Sequence, residues 1–318
     1  MTTQSAAPPL APPDADGLTS RPAVPRRRIG RWIATAVVLV LLAQFINGLV
    51  TNPFYAWDRF SYWFTRPVIL EGLVVTVKVT ALSAALGLAG GIVLALMRLS
   101  RNPLLQAVSW AYVWLFRSIP LIVLLIFLFN FSAIYAVVGV GVPFGPQVAT
   151  FRTTDLLSVL AIAVLGLSLN EAAYAAEIVR AGILSVDAGQ VEAANALGLA
   201  PARRFRRIVL PQALRAIVPA YVNQLIGLIK ASSLVYFVSL LDLFGTVQTE
   251  YATFPTDVVP LLLVATVWYV IATSILSVVQ YYVERYYARG AVRTLPPTPL
   301  QRLRAAVRSL AARTSGAR

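Results

Sequence analysis

The sequence predicts an all-α integral membrane protein with six transmembrane helices. Of the 318 residues, 58% are hydrophobic and only 13% are charged, whereas a soluble domain has about 25% charged residues. The mean hydropathy of +0.74 points the same way, and the net charge of +14 comes from arginines that cluster between the apolar runs. The chain has no Cys and no His, which excludes disulfides, thiol or imidazole catalysis and Cys or His metal sites.

Six segments are long and apolar enough to cross a bilayer, which takes roughly 20 residues of helix. They are predicted at Ile33–Val50, Val68–Leu96, Ser118–Val138, Leu156–Arg180, Gln212–Ile229 and Val258–Val283. The second of these contains Gly87, Gly90 and Gly91. Small residues grouped in this way predict the close approach of another helix.

The arginines decide the orientation, because cytoplasmic loops of membrane proteins hold the positive excess. With the N-terminus inside, 22 arginines fall in cytoplasmic segments and three fall outside, namely Arg59, Arg66 and Arg152. The two lysines, Lys78 and Lys230, lie in or at the edge of predicted spans. The sequence therefore predicts that both termini are cytoplasmic. The positive charge is attributed to topology in a lipid bilayer, and no nucleic-acid partner is expected.

The chain divides into four segments by composition. Residues 1–31 are rich in Pro, Ala, Ser and Thr and predict a disordered cytoplasmic tail, and residues 285–318 predict a basic cytoplasmic tail. Residues 32–67 hold the first span and an external segment, and residues 68–284 hold the main transmembrane domain. The first span lacks a small-residue cleavage site, which favours a retained helix over a signal peptide. For residues 300–312, an amphipathic helix on the inner leaflet and a solvated tail both stay open.

The cytoplasmic loop at residues 187–211 predicts two short helices. Asp187 caps the first, which runs from Ala188 to Leu197, and Gly198 supplies the left-handed residue that commonly ends a helix. Pro201 suits the first turn of the second helix. The first helix has a small apolar face that it cannot bury alone, so the face must dock on another surface. That surface is either a groove on a partner protein or the protein's own spans. A DNA-reading helix is disfavoured between two membrane spans.

The amino-acid sequence of this loop resembles the EAA loop of the membrane subunits of ATP-binding-cassette importers. Glu192-Ala193-Ala194 is followed after three residues by Gly198 and, after nine more, by Ile208-Val209-Leu210-Pro211, which fits EAA-x3-G-x9-I-x-L-P. The flanking stretches resemble the permeases for polar amino acids in particular; they read LSLNEAAYAAEIVRAGI before the loop, LPQALRAIVPAYVNQLIGLIKASSL after it, and FRSIPLIVLLIFLF at residues 116–129.

The resemblance implies an importer permease fold in a bacterial inner membrane, with one span added before the five-span core that is common in this family. It implies three kinds of partner: a cytoplasmic ATP-binding-cassette ATPase dimer, a second permease subunit and an extracytoplasmic substrate-binding protein. It also implies which residues couple the permease to the ATPase, namely Glu192, Ala193, Ala194, Leu197, Gly198, Ile208, Leu210 and Pro211.

The implied function is the import of polar or charged amino acids by alternating access, driven by a separate ATPase. The chain itself lacks the G-x-x-x-x-G-K-[ST] loop that cradles ATP phosphates. It is therefore predicted not to be an enzyme and to hold no cofactor or metal; ATP and Mg belong to the partner ATPase, and only the assembled complex would hydrolyse ATP. Two other classes stay open, a secondary transporter or channel that needs no ATPase, and a bare membrane anchor.

Polar residues inside the predicted spans are candidates for the substrate pathway, because such residues usually face a bundle interior or a pathway. Asn170, Tyr174 and Glu177 lie on one helical stripe. The full candidate set is Asn170, Glu171, Tyr174, Glu177, Asn223, Gln224, Lys230 and Ser232. The alternative for each residue is a hydrogen bond between helices. Glu171 departs from the small residue that the resembled family often has there, which suggests either a cationic substrate or a pair with Lys78 or Lys230.

Overall fold

The computed structural model describes residues 29–142 and 145–287, so most of both predicted tails, including residues 300–312, lies outside the described residues. The chain divides into two units after Tyr55. In the first unit, helix α1 spans Ile29–Thr51 and confirms the predicted first helix. Its hydroxyl groups are satisfied within the helix, since Thr35 Oγ1 donates to the Arg31 carbonyl and Thr51 Oγ1 to the Asn47 carbonyl, both at 2.8 Å.

The second unit is mostly helical. Its helices are α2 (Trp57–Phe64), α3 (Pro67–Arg98), α4 (Pro103–Ser118), α5 (Leu121–Phe129), α6 (Phe131–Ile134), α7 (Thr153–Leu156), α8 (Val159–Leu184), α9 (Ala188–Ala196), α10 (Pro201–Arg204), α11 (Leu210–Ala231), α12 (Leu243–Thr253) and α13 (Val258–Tyr287). A π-helical turn, Phe205–Val209, joins α10 to α11, and a 3₁₀ segment, Ser232–Val238, follows α11.

Five helical segments of the described chain are long and apolar enough to cross a membrane, and a sixth arises if α4 and α5 count as one broken span. The predicted continuous helix at Ser118–Val138 is wrong. Helix α4 stops at Ser118, and α5 leaves it at an angle of 99°. Pro120 is the physical reason, because its ring forces Ile119 into extended backbone, with φ −78° and ψ 127°.

A two-stranded antiparallel hairpin begins in the last two residues of that predicted helix and corrects the all-α assignment. Strand β1 (Val137–Gly141) pairs with strand β2 (Gln147–Arg152), with an irregularity between Val140 and Gly141. The sequence VVGVG in β1 combines β-branched residues with glycines. Such residues favour extended backbone over helix, and the apolar character of the run hid this preference.

The core of the second unit is the packing of α3 along α8, and glycines make it possible. A Cβ added at Gly91 would lie 2.4 Å from the Ala175 Cβ, and one added at Gly87 would lie 2.6 Å from the Glu171 Cγ. The predicted close helix approach at these glycines is confirmed. Half of the residues of helix α8 are buried, and this helix provides the scaffold on which the candidate site is built.

A second cluster packs α2 against α12 and α13. Trp63 is 4% exposed, and its Nε1 donates to Asp257 Oδ2 at 2.8 Å. Arg59 donates to the same carboxylate from Nε at 2.9 Å. The ring of Phe64 stacks on that of Trp268 with centroids 4.8 Å apart. Helix α2 is therefore part of the packed second unit.

Candidate functional site

The loop predicted to couple the permease to an ATPase forms a short capped helix whose outer surface is uncovered. Asp187 Oδ1 accepts the backbone N–H of Gln190 at 3.3 Å and caps α9, as the sequence predicted. The helix ends at Ala196, and Gly198 follows with φ +68°, the left-handed conformation that favours glycine. Ala194 is 1% exposed and anchors the helix, whereas Leu197 is 80% exposed.

The second half of the loop ties α9 to a membrane helix. Asn195 Oδ1 accepts a hydrogen bond from Arg204, which joins α9 to α10. The π-helical turn then carries Ile208, and Leu210 and Pro211 begin α11. Helix α10, the π turn and α11 therefore follow one another without a break.

The predicted pathway residues do not lie at one place. Tyr174 and Glu177 line a cavity of about 450 Å³ between α4 and α8. Asn170 lies on the same stripe, and its Nδ2 donates to the Phe116 carbonyl at 2.8 Å, near the end of α4. That bond satisfies a carbonyl at the helix terminus, where intrahelical partners run out. The stripe therefore combines a helix junction with a polar cavity wall.

Glu171 lies on a different side of α8, at the junction with α3 and α11. It is 2% exposed, and its Oε2 accepts a hydrogen bond from Gln224 Nε2 at 3.1 Å. Its Oε1 is buried and has no hydrogen-bond partner among the described residues. The described ion pairs are Arg59–Asp257 and Arg180–Glu177. The suggested pairing of Glu171 with Lys78 or Lys230 is therefore wrong, since both lysines are exposed.

The remaining candidates are spread over α11 and the segment after it. Asn223 is exposed on α11. Ser232 is fully buried, and its hydroxyl donates to the carbonyl of Ile229, three residues earlier in the chain, at 2.8 Å. Lys230 lines a separate surface cavity together with Tyr269. The structure brings none of these three into the cavity of Tyr174 and Glu177.

Two features of the second unit were not predicted from the sequence, one in the cavity and one outside it. Arg98 and Arg117 line the same cavity as Glu177, although they come from α3 and α4, and no spacing along the sequence indicates that meeting. Asp242 is fully buried, where it accepts hydrogen bonds from the Gly245 N–H at 2.9 Å and the Tyr269 hydroxyl at 3.0 Å. The pKa of this carboxyl is raised, because the effect of burial exceeds the opposite effect of those hydrogen bonds. The sequence signal for Asp242 is its position directly before a helix, where an acidic residue commonly caps the helix N-terminus.

The long apolar helices are typical of a multi-pass membrane protein, and similarity to known proteins identifies its class. Residues 87–289 match the family described as the binding-protein-dependent transport system inner membrane component, and the chain belongs to this family. It is 42% identical over 287 residues to the arginine transport system permease protein ArgU of Corynebacterium glutamicum, covering 88% of this chain and 87% of the relative.

Two further similar proteins also belong to amino acid transport systems. The glutamate/aspartate import permease protein GltK of Escherichia coli O6:H1 is 37% identical, over 73% of this chain and 99% of the relative. A crystal structure described as an amino acid ABC transporter with histidines matches with a TM-score of 0.59 and 30% identity, over 69% of this chain and 94% of the other. The protein is thus a multi-pass permease subunit of an amino acid ABC importer.

Proposed function

We propose that the chain works in the bacterial inner membrane, with both termini in the cytoplasm and a second permease subunit beside it, and that its sixth span is the broken pair α4 and α5. It imports a polar or charged amino acid, delivered by an extracytoplasmic binding protein, by alternating access. A cytoplasmic ATPase dimer, which carries ATP and Mg, drives the cycle. The observation that carries this proposal is α9, which is short, capped and anchored by Ala194 while its outer residues stay uncovered.

The coupling mechanism follows from what α9 exposes. Glu192, Ala193 and Leu197 are exposed, and a side chain as apolar as leucine at 80% exposure is typical of an interaction site when its neighbours are small. An amphipathic helix that lays an apolar face into a groove is a common recognition mode. Closure of the two ATPases would pull α9 and, through Ile208, Leu210 and Pro211, rotate α11.

Gly198 is predicted to be required for the shape of this loop. Gly198→Leu should lower transport at least about tenfold while the protein stays in the membrane, whereas Gly198→Asn should retain most of it, because asparagine tolerates left-handed backbone. A Cβ at this position would meet nothing within 4 Å, so the cost is conformational, about 1–2 kcal/mol for an ordinary residue. Uptake and membrane content measured together check this. Equal activity of both variants would contradict it.

The proposed substrate is an amino acid with a charged side chain, by analogy with the arginine and glutamate/aspartate permeases that the chain resembles. Glu171 favours the cationic alternative, because it brings a carboxyl with a free oxygen into the interior of the bundle. At an effective dielectric constant of about 20, two unit charges roughly 10 Å apart interact by about 1.7 kcal/mol. That energy is enough to change uptake by about tenfold.

Glu171→Gln is therefore expected to lower the uptake of L-arginine more than that of a neutral amino acid. The change removes the charge and keeps the shape, and glutamine at 171 still has an oxygen to accept the Gln224 N–H. Uptake of labelled L-arginine, L-glutamate and a neutral amino acid is measured in cells that depend on this importer, with the neutral substrate as internal control. Equal effects on all three would remove the case for charge selection at Glu171.

One experiment tests the proposed function as a whole. The chain is purified in detergent with its native neighbours, and an ATP-binding-cassette ATPase is expected to co-purify with it. Uptake is expected to fail when that ATPase is deleted and to survive an ionophore that collapses ion gradients. A secondary transporter predicts the opposite pair of results, since a coupling-ion gradient would then be its energy source.

A further inference from the structure

The cavity between α4 and α8 has an excess of positive charge in its wall. Its volume of about 450 Å³ is typical of small-molecule sites. The charged residues in its wall are three arginines and one glutamate, and tryptophans from α4 contribute the apolar part. These residues are Arg98, Arg117, Arg180 and Glu177, with Trp110 and Trp114.

Two of the arginines have no acidic partner among the described residues. Arg180 is neutralised, since its Nη2 donates to Glu177 Oε2 at 2.7 Å and its Nε donates to the same oxygen at 3.1 Å. Arg98 has no such partner, and its Nη1 is buried without a hydrogen bond. Arg117 places its guanidinium 5.3 Å from the ring centroid of Tyr174, which orients the group but leaves its N–H donors available.

Only one of the two carboxylate oxygens of Glu177 accepts hydrogen bonds. Both hydrogen bonds from Arg180 go to Oε2 of Glu177, and its Oε1 makes no hydrogen bond within the described chain. Glu177 lies one helical turn from Tyr174, over which the Arg117 guanidinium is held. The cavity therefore presents two unpaired guanidinium groups and a free carboxylate oxygen in its wall.

We propose, on the basis of the proposed function, that this cavity binds the head group common to all α-amino acids. The α-carboxylate is held by Arg117 and Arg98, and the α-ammonium is held by Glu177 Oε1. A buried guanidinium donor without a partner costs free energy that a carboxylate offsets, and hydrogen bonds between such charged groups are strong. The side chain of the substrate is then recognised elsewhere, which separates general binding here from selectivity.

The phosphate of an anionic lipid is the competing occupant. Arginines between helices at the cytoplasmic surface do bind lipid head groups in other membrane proteins. A phosphate would satisfy Arg98 and Arg117, but the head group of phosphatidylglycerol has no cation to offer Glu177 Oε1. The zwitterionic head group of an amino acid satisfies both the guanidinium groups and the carboxylate oxygen in the wall.

The test measures binding to the purified complex of permease and ATPase without binding protein. L-Arginine and L-glutamate are the ligands, and agmatine, which is arginine without its carboxylate, is the matched analogue. We expect both amino acids to raise the melting temperature of the wild-type complex and agmatine to have no effect. Arg117→Gln should weaken L-arginine binding at least tenfold. Arg101→Gln, an exposed arginine outside the cavity, should bind as the wild type does.

A second variant keeps the test decisive if Arg117→Gln fails to assemble. Glu177→Gln should weaken L-arginine binding about tenfold, whereas binding of its deaminated analogue, which lacks the α-ammonium, should not be weakened, because the change also frees Arg180. Binding within twofold of wild type in either variant would overturn the proposal. The proposal would also be overturned if native mass spectrometry showed phosphatidylglycerol bound to the wild-type complex and lost from the cavity variants, with amino acid binding unchanged. That result would identify a lipid site. Uptake and ATPase co-purification test the proposed function separately, and neither depends on this cavity measurement.

Discussion

Leu197→Asp is expected to abolish transport while leaving the amount of protein in the membrane unchanged, and Glu192→Lys should have the same effect. Both side chains are exposed on or just after α9, so neither change removes a contact within the described chain. Surface substitutions of this kind usually alter stability by less than about 0.5 kcal/mol. If the leucine docks in an apolar groove, however, an aspartate there must be buried without a partner, at a cost of several kcal/mol.

The measurement is ATP hydrolysis by the co-purified ATPase, together with the amount of ATPase that the permease retains. A loss of about 4 kcal/mol weakens docking roughly a thousandfold, so the ATPase should be largely absent from the purified Leu197→Asp protein. Leu197→Met is the matched control, because it keeps the volume and the apolar character. Full retention of the ATPase and normal stimulation of its activity by Leu197→Asp would show that α9 is not the docking helix.

The local structure of this loop could be predicted closely from the sequence, and the reason is that its determinants are local. The Asp187 cap and the left-handed Gly198 each depend on a few neighbouring residues with fixed backbone requirements. The predicted first helix, Ala188–Leu197, differs from the observed Ala188–Ala196 by one residue. No distant part of the chain has to be known for such a prediction.

The broken third span and the polar cavity could not be predicted in the same way. Hydropathy averages over residues, so it registered an apolar run across Pro120 and could not show a turn of 99°. The cavity brings Arg98, Arg117 and Glu177 together from three helices, and their meeting depends on how α4 packs on α8. Helical periodicity placed Tyr174 and Glu177 on one stripe, but it could not say what the stripe faces.

Packing of α3 on α8 leads to the second large expected effect. Gly91→Ala should destabilise the protein by about 1–3 kcal/mol, the usual cost of overpacking. A Cβ at this position would lie 2.4 Å from the Ala175 Cβ and 2.9 Å from the Ala176 backbone nitrogen. The second contact is with backbone, which no side-chain rotation relieves, so the helices must move apart. Leucine at this position should prevent the two helices from packing at all.

Gly90→Ala is the matched control on the same helix. Its added Cβ would meet the Ala172 Cβ at 3.2 Å, which needs a shift of only a few tenths of an ångström. Alanine also gains about 0.5–1 kcal/mol over glycine inside a helix, so the net change should be close to zero. Thermal unfolding in detergent is the measurement, where 1 kcal/mol corresponds to roughly 2–4 °C for a protein of about this size.

The double variant Gly91→Ala with Ala175→Gly separates steric cost from other effects of the alanine. It removes the 2.4 Å contact between Cβ atoms but leaves the 2.9 Å contact with the backbone of Ala176. Partial recovery of the melting temperature is therefore expected, and full recovery is not. If Gly91→Ala melts at the wild-type temperature, α3 and α8 do not approach as closely as this structure requires. The position of Glu171 against Gly87, one turn along the same interface, would then have to be revised as well.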